Sequence, residues 1–202
     1  MSGREKFGTA RLVARSWQAE DLPFAIELWG DPAVIALIDA RGRLTADEVE
    51  EKLHAEIARE RAEGVQYWAL FERQGGGFVG CCGLRPWVYT PDEQNFELGF
   101  HIVKRCWRHG FATEAAQGAL DLGWRELRLA KIYAGHHPDN HASRHILEKL
   151  GFTFLDTVFY EPTRLMHSSY VCKRYKARPG NPQRRPILKL SRRRRASSRI
   201  QR

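Results

Sequence analysis

The sequence predicts a mixed α/β domain, and three features of the chain carry that expectation. Short apolar runs of strand length alternate with segments of helical periodicity from about residue 11 to residue 175. A glycine turn, Gln74-Gly-Gly-Gly77, joins two strand-like runs as in a β-hairpin. Residues 96 to 103 are apolar enough for a buried strand, and they run through Gly110 into a helix opened by Thr113 and Glu114. A strand, a glycine turn and a helix start together make an anion site. The first N–H groups of a helix lack intrahelical partners and lie at the positive end of its dipole.

Taken in order, Arg11-Leu-Val-Ala-Arg15 is a short apolar run flanked by arginines and reads as a first strand. A helix follows, carrying Leu22, Ala25, Ile26, Leu28 and Trp29; Pro23 suits only a first turn, so the helix starts near Asp21, which is placed to cap it. Asp31-Pro32 ends that helix or starts a second short piece. Thr45-Ala-Asp-Glu48 fits a capping box, and Val49, Leu53, Ile57 and Arg61 recur at helical spacing until Gly64. The hairpin strands are residues 67–73 and 77–84, with Trp87-Val-Tyr89 extending the second before a turn at Thr90-Pro-Asp-Glu93. Residues 96–103 add a third neighbouring strand. The helix after Gly110 shows a small-residue face, with Ala115, Ala119 and Gly123, that permits close packing on a sheet. Lys131 to His137 is a strand, Asn140 an N-cap for the helix to Leu150, and residues 152–161 and 168–175 a closing pair of strands.

Composition bounds the class. In 202 residues, hydrophobic side chains make up 43%, enough for one domain with a real core. No apolar run approaches the roughly 20 residues of a membrane helix, and no apolar stretch follows the N-terminal basic residues, so the protein is expected in the cytoplasm. Cys81, Cys82, Cys106 and Cys172 match no zinc spacing and read as reduced, mostly buried small hydrophobes. The net charge of +9 is unevenly held: residues 173–202 carry 13 Lys or Arg and no acid, which leaves 20 basic against 24 acidic residues before them. The expected division is a folded domain over 9–175 and a basic tail over 176–202 too polar and too charged to bury a core.

The chain has neither a dinucleotide glycine fingerprint nor a nucleotide P-loop. Instead Phe96-Glu-Leu-Gly-Phe100, Trp107-Arg-His-Gly-Phe-Ala-Thr-Glu-Ala115, Pro138-Asp-Asn-His-Ala-Ser143 and Leu147-Glu-Lys-Leu-Gly-Phe152 occur in that order. This set closely resembles the GNAT acyltransferase superfamily, and within it the group containing the ribosomal-protein N-terminal acetyltransferases. The resemblance implies a central, mostly antiparallel sheet of six to seven strands, with splayed parallel strands fourth and fifth, flanked by four helices. It implies acetyl-CoA as acyl donor, no metal, and transfer to a primary amine by direct attack in a ternary complex.

By the same resemblance, the pyrophosphate of CoA lies on the backbone amides of Arg108, His109, Gly110, Phe111, Ala112 and Thr113. Trp107 stands where the family signature commonly has Gln or Arg, but the amides do the anion binding. The pantetheine arm borrows strand backbone around Phe100, His101 and Ile102, and Asn140 contacts the arm, a role compatible with its capping one. Glu97 matches a family glutamate and is the candidate base, directly or through water; the alternation Phe96, Leu98, Phe100 equally suits a carboxylate solvated on the open face. Ser143 is the candidate donor of a proton to the leaving thiolate, with Tyr160 its rival and helix capping the plainer role for Ser143. His136, His137 and His141 read as local hydrogen-bonders rather than metal ligands.

Acceptors in view are a protein N-terminal amine or a small amine, held by the first two helices and the loops after Trp87 and Phe159. The tail from 178 to 202 resembles an arm for nonspecific RNA contact, or is only a solubility tail. A homodimer stays open. The alternative is a catalytically weak CoA-binding protein, or an RNA-associated one acting through its tail.

Overall fold

The computed structural model describes residues 3–87 and 95–174. The alternating apolar runs pair into one eight-stranded sheet. In chain order its strands are β1 (Glu5–Gly8), β2 (Leu12–Arg15), β3 (Tyr67–Glu72), β4 (Phe78–Trp87), β5 (Asn95–Ile102), β6 (Lys131–His136), β7 (Thr153–Tyr160) and β8 (Leu165–Lys173). Their spatial order is β1-β2-β3-β4-β5-β6-β8-β7, antiparallel throughout except for the parallel pair β5 and β6. The helices are α1 (Leu22–Trp29), α2 (Pro32–Ile35), α3 (Ala46–Glu63), α4 (Phe111–Arg125) and α5 (His141–Lys149).

The mixed α/β architecture is the one expected, with one added strand that corrects the count from six or seven to eight. Glu5–Gly8 is too short and polar to show a strand pattern, yet an edge strand needs ladder partners on one side only. Phe7 anchors it by meeting the Trp68 ring edge-on at 6.0 Å. The addition, ahead of residue 9, moves the parallel pair to fifth and sixth place. The four long helices are joined by the one-turn α2, where the Asp31 carboxylate accepts from the Ala33 N–H at 2.8 Å.

Most local signals act as their chemistry requires. The Thr45 hydroxyl accepts from the Glu48 N–H at 3.3 Å while the Glu48 carboxylate accepts from the Thr45 N–H at 2.7 Å, and Gly64 ends α3 at φ +72°. Asp21 is the correction. It precedes α1, but its carboxylate accepts from buried Arg15 at 2.7 and 2.8 Å and from the Gln18 N–H at 2.8 Å, so it caps no N–H of α1. A bidentate charged partner outcompetes a single capping bond. The four cysteines are free, three of them buried. The Val88-Tyr89 extension, the turn at Thr90 to Glu93 and the basic tail lie outside the described residues.

Two helical layers cover the sheet. On one face α1 and α3 pack over β3 to β5, tied down where Trp29 Nε1 donates to His101 Nδ1 at 3.1 Å and where Glu56 of α3 pairs with Arg85 of β4. On the other, Gly123 of α4 sits against Leu84 and Ile132, and the small residues Ala115, Ala116 and Ala119 are fully buried. The aromatic centre of the core is Trp17, Trp29, Phe24, Phe71 and Phe78, with ring centroids 5.0 to 5.8 Å apart in successive pairs. Among the described residues β5 and β6 are in register at one Cα pair, Glu97 with Tyr133, and then part.

Candidate active site

The parting of β5 and β6 opens a cavity of about 120 Å³ that reaches both faces of the sheet. Glu97, Tyr67, Arg85 and Lys52 line it from the α1 and α3 side, and Ser143 and Leu147 of α5 from the other. Phe100 and His101 give it one strand wall, Gly135 and His136 the other, and Tyr160 comes in from the end of β7. Thus Glu97, Ser143 and Tyr160, far apart in sequence, share one cavity.

Glu97 is not solvated on an open face. It pairs across the ladder with Arg85 and sits at the floor of the cavity, half-buried. Burial disfavours its charged form and pushes its pKa up to about 7, against the opposing pull of Arg85. Arg85 is held by the buried Glu56 carboxylate, which also accepts from Arg59 at 2.8 Å and from the Tyr67 N–H at 3.0 Å. The Arg85 guanidinium lies 3.7 Å over the Tyr67 ring. That ring in turn occupies the place of a Cβ on Gly99, which would fall 2.2 Å from it. A glycine in the middle of β5 therefore makes the floor of the cavity flat enough to hold Tyr67 beside Glu97.

His101 contributes a neutral ring. Its Nδ1 accepts from Trp29, which places the proton on Nε2, and burial, with Lys52 and Arg85 nearby, holds its pKa well below the usual histidine range. Ile102 lies outside the cavity, and its carbonyl is taken by Trp107 Nε1 at 2.7 Å. The departure at position 107 is thereby explained: the indole clamps the end of β5 to the turn that follows.

That turn presents amides. Among the described residues none of the backbone N–H groups from Arg108 to Thr113 meets a protein acceptor; the first amide to do so is that of Glu114, which donates to the Gly110 carbonyl at 3.1 Å. Gly110 is the N-cap of α4 at φ +78°, a conformation costly for a residue with a Cβ, and Arg108 is also left-handed at φ +63°. Arg108 and His109 are exposed, with His109 stacked on Phe111 at 5.9 Å. The turn is braced from the connection between β1 and β2. Arg11 donates to the His109 carbonyl at 3.0 Å and to Glu114 at 2.6 Å, and lies 4.6 Å over the Phe111 ring. Thr9 donates a further 2.6 Å bond to Glu114. Gly110 and Thr113 open to a different cleft, with Ala112 turned to the core.

Asn140 caps α5, its Oδ1 accepting from the Ser143 N–H at 3.0 Å. The cap bond uses the backbone N–H of Ser143 and not its hydroxyl, and Ser143 lines the cavity. Tyr160 packs on His167 with centroids 4.7 Å apart and the rings tilted by 32°, and burial, then Glu97, raises its phenol pKa, so it stays protonated.

A family model described as an acetyltransferase (GNAT) domain matches residues 11–153. The chain belongs to the GNAT acetyltransferase family. It is 28% identical over 159 residues to YkkB of Bacillus subtilis strain 168, across 78% of this chain and 91% of that one. A GNAT-family acetyltransferase from Bacillus anthracis superposes with a TM-score of 0.71 at 20% identity, over 83% of this chain and 98% of its own. RimL, the ribosomal L7/L12 alpha-N-protein acetyltransferase solved with coenzyme A, does so at 0.69 and 13% identity, over 82% and 95%. At such identities the superpositions establish the fold alone, and the family match makes the protein an N-acetyltransferase of a family that uses acetyl-CoA.

Of the GNAT protein's three histidines near β6, His136 and His137 are buried and locally bonded: His136 donates from Nδ1 to the His137 carbonyl at 2.8 Å, and His137 Nδ1 accepts from the Asp139 N–H at 3.1 Å. His141 is exposed and outside the cavity. The third member of the cluster is His167, 5.6 Å from the His137 ring, whose pKa burial lowers to about 4. Sequence reasoning missed it, and also missed Glu56, Arg85, Lys52, Arg11 and Tyr67. One signal was available: Glu56 continues the stripe of Val49 and Leu53 on α3, and an acid on a buried stripe needs a cationic partner. Nothing in the spacing tells that the partner is Arg85.

Proposed function

We propose that this acetyltransferase moves the acetyl group from acetyl-CoA to a primary amine by direct attack in a ternary complex, with Glu97 as base. The observation that supports this reading is that Glu97, Ser143 and Tyr160 line one cavity at the gap between β5 and β6. The unpaired amides from Arg108 to Thr113, with Gly110 and Ala112 among them, suit a pyrophosphate at the far end of β5. Backbone of Phe100 and His101 borders the arm's path, with Ile102 beyond the cavity and its carbonyl bonded to Trp107; Asn140 meets the arm, and its cap fixes the start of α5, where Ser143 lines the cavity.

The protonated amine cannot attack, so its proton must leave first. A carboxylate with a pKa near 7 is half-ionised at neutral pH and accepts that proton with little penalty, directly or through one water. The neutral nitrogen forms its bond to the carbonyl carbon and the C–S bond breaks; Ser143 or Tyr160 protonates the thiolate, the proton shed by the new amide nitrogen restores that hydroxyl through water, and Glu97 returns its proton to solvent. Tyr160 is suited to it by staying protonated; Ser143 by a hydroxyl free of capping.

The acceptor is a protein N-terminus, as the description of RimL says of that protein, or a small amine. RNA contact through residues 178–202, a homodimer and a cytoplasmic site remain parts of this proposal. The test is CoA release, read by a thiol reagent, across protein N-termini and small amines. Glu97→Gln should lose transfer and keep CoA binding; a wild type that binds CoA and acetylates no amine would favour the CoA-binding alternative. Deleting residues 177–202 should leave transfer to small amines intact.

A further inference from the structure

We propose, building on the acetyltransferase reading, that the acceptor is an amine that also carries a carboxylate, and that Lys52 receives this carboxylate. The inference starts from the charges around the cavity on the α1 and α3 side. Arg85 pairs with Glu56 through one terminal nitrogen and shares that carboxylate with Arg59 and the Tyr67 N–H, while its buried Nε has no partner among the described residues. Lys52, one turn before Glu56 on α3, lines the same cavity. Among the described residues its ammonium makes no hydrogen bond and no ion pair, and it lies 5.3 Å over the Trp29 ring. Asp39, another acid whose charge reaches Lys52, is bound by Arg41 Nε and Nη2 at 2.9 and 2.7 Å. Burial, then the neighbouring Arg85, disfavours the charged form of Lys52, against a weaker opposing pull from Glu56, Cys81 and Asp39. An ammonium kept there without an anion is a standing cost that a bound carboxylate relieves.

The same accounting argues against a polycation. Among the described residues Glu97 is the sole carboxylate lining the cavity, and it must take the acceptor's proton. A polyamine or aminoglycoside would bring further ammonium groups toward Lys52 and Arg85 with no acid left for them. An acceptor with its amine at Glu97 and a carboxylate at Lys52 matches both groups at once. That carboxylate can be the α-carboxylate of a free amino acid or the acidic side chain of a peptide's first residue.

The test pairs isosteres in the CoA-release assay with full-length protein: L-alanine against L-alaninamide, a tripeptide amide opening with glutamate against one opening with glutamine, and spermidine apart. In at least one pair the anionic member should win by about tenfold or more in kcat/KM, as a charged hydrogen bond implies; the pair that shows it identifies the source of the carboxylate. Lys52→Met should reduce that preference to within about twofold, through KM, with kcat and the KM for acetyl-CoA kept. Lys52→Arg should retain it, and Lys52→Glu should shift use toward spermidine. Equal or better use of the neutral members or of spermidine by wild type would overturn the inference while leaving the acetyltransferase reading intact. Failure to acetylate any amine, with CoA still bound in calorimetry, would overturn both.

Discussion

Glu97→Gln should make the protein a worse enzyme and a more stable one, and the second effect is the unusual one. In the folded chain burial raises the Glu97 carboxyl from 4.5 to about 7. Between those values the folded state keeps a proton that the unfolded chain has released, so stability falls as pH rises through the window and stays low above it. At about 1.4 kcal/mol per pH unit the whole window is worth on the order of 3 kcal/mol, reduced to about 1–3 by the exposure Glu97 retains to the cavity. Glutamine never ionises, so at pH 8 the variant should be more stable by that amount, and at pH 4.5 equal to wild type. For a domain of this size that is about 2–4 °C in Tm per kcal/mol, measurable by calorimetry at both pH values. Transfer should drop about 10²- to 10⁴-fold, the usual worth of a positioned base. In wild type kcat/KM should rise through about pH 7 at the Glu97 carboxyl, at the same place for two acceptors whose own amine pKa values differ. A variant no more stable than wild type at pH 8, or one within threefold of its activity, would refute the assignment of a buried base.

Three further outcomes follow from the geometry. Gly110→Val forces a β-branched side chain into φ +78° at the start of α4, and should cost about 1–2 kcal/mol of stability and weaken CoA binding in calorimetry; unchanged affinity would remove the turn from the donor site. Glu56→Ala strands Arg85 and Arg59 beside a vacated site that is 1% exposed, and should cost about 3–5 kcal/mol in urea unfolding; a loss under about 1 kcal/mol would mean that the carboxylate is dispensable. Gly99→Ala puts a Cβ 2.2 Å from the Tyr67 ring, and about 1–3 kcal/mol of overpacking should displace Tyr67 and Arg85 and lower kcat more than affinity for CoA, a split that steady-state kinetics reads.

Much of this protein was legible before any coordinates, and the legible parts share a cause. The capping box at Thr45 and Glu48, the cap at Asn140, the turn at Gly110 and the small face of α4 are set by residues within a few positions of one another. Such signals survive without tertiary context. Asp21 shows the limit, since the local rule made it a cap for α1 and a buried arginine from β2 claimed it. Glu5–Gly8 shows another, because an edge strand takes its identity from the neighbour it pairs with.

The sequence by itself determined the order of elements from Leu12 onward, the glycine turn ahead of α4 and the three groups Glu97, Ser143 and Tyr160 as candidates. The tertiary structure decided where those groups stand and what surrounds them. Glu97 gains its near-neutral pKa from burial between Arg85 and Tyr133 at the point where β5 and β6 separate. The polar floor beside it is assembled from Lys52 and Glu56 on a helix, Tyr67 and Arg85 on two strands, and the space left by Gly99. Desolvation and charge pairing are properties of what surrounds a residue, and the surroundings here come from segments that only the closed sheet brings together.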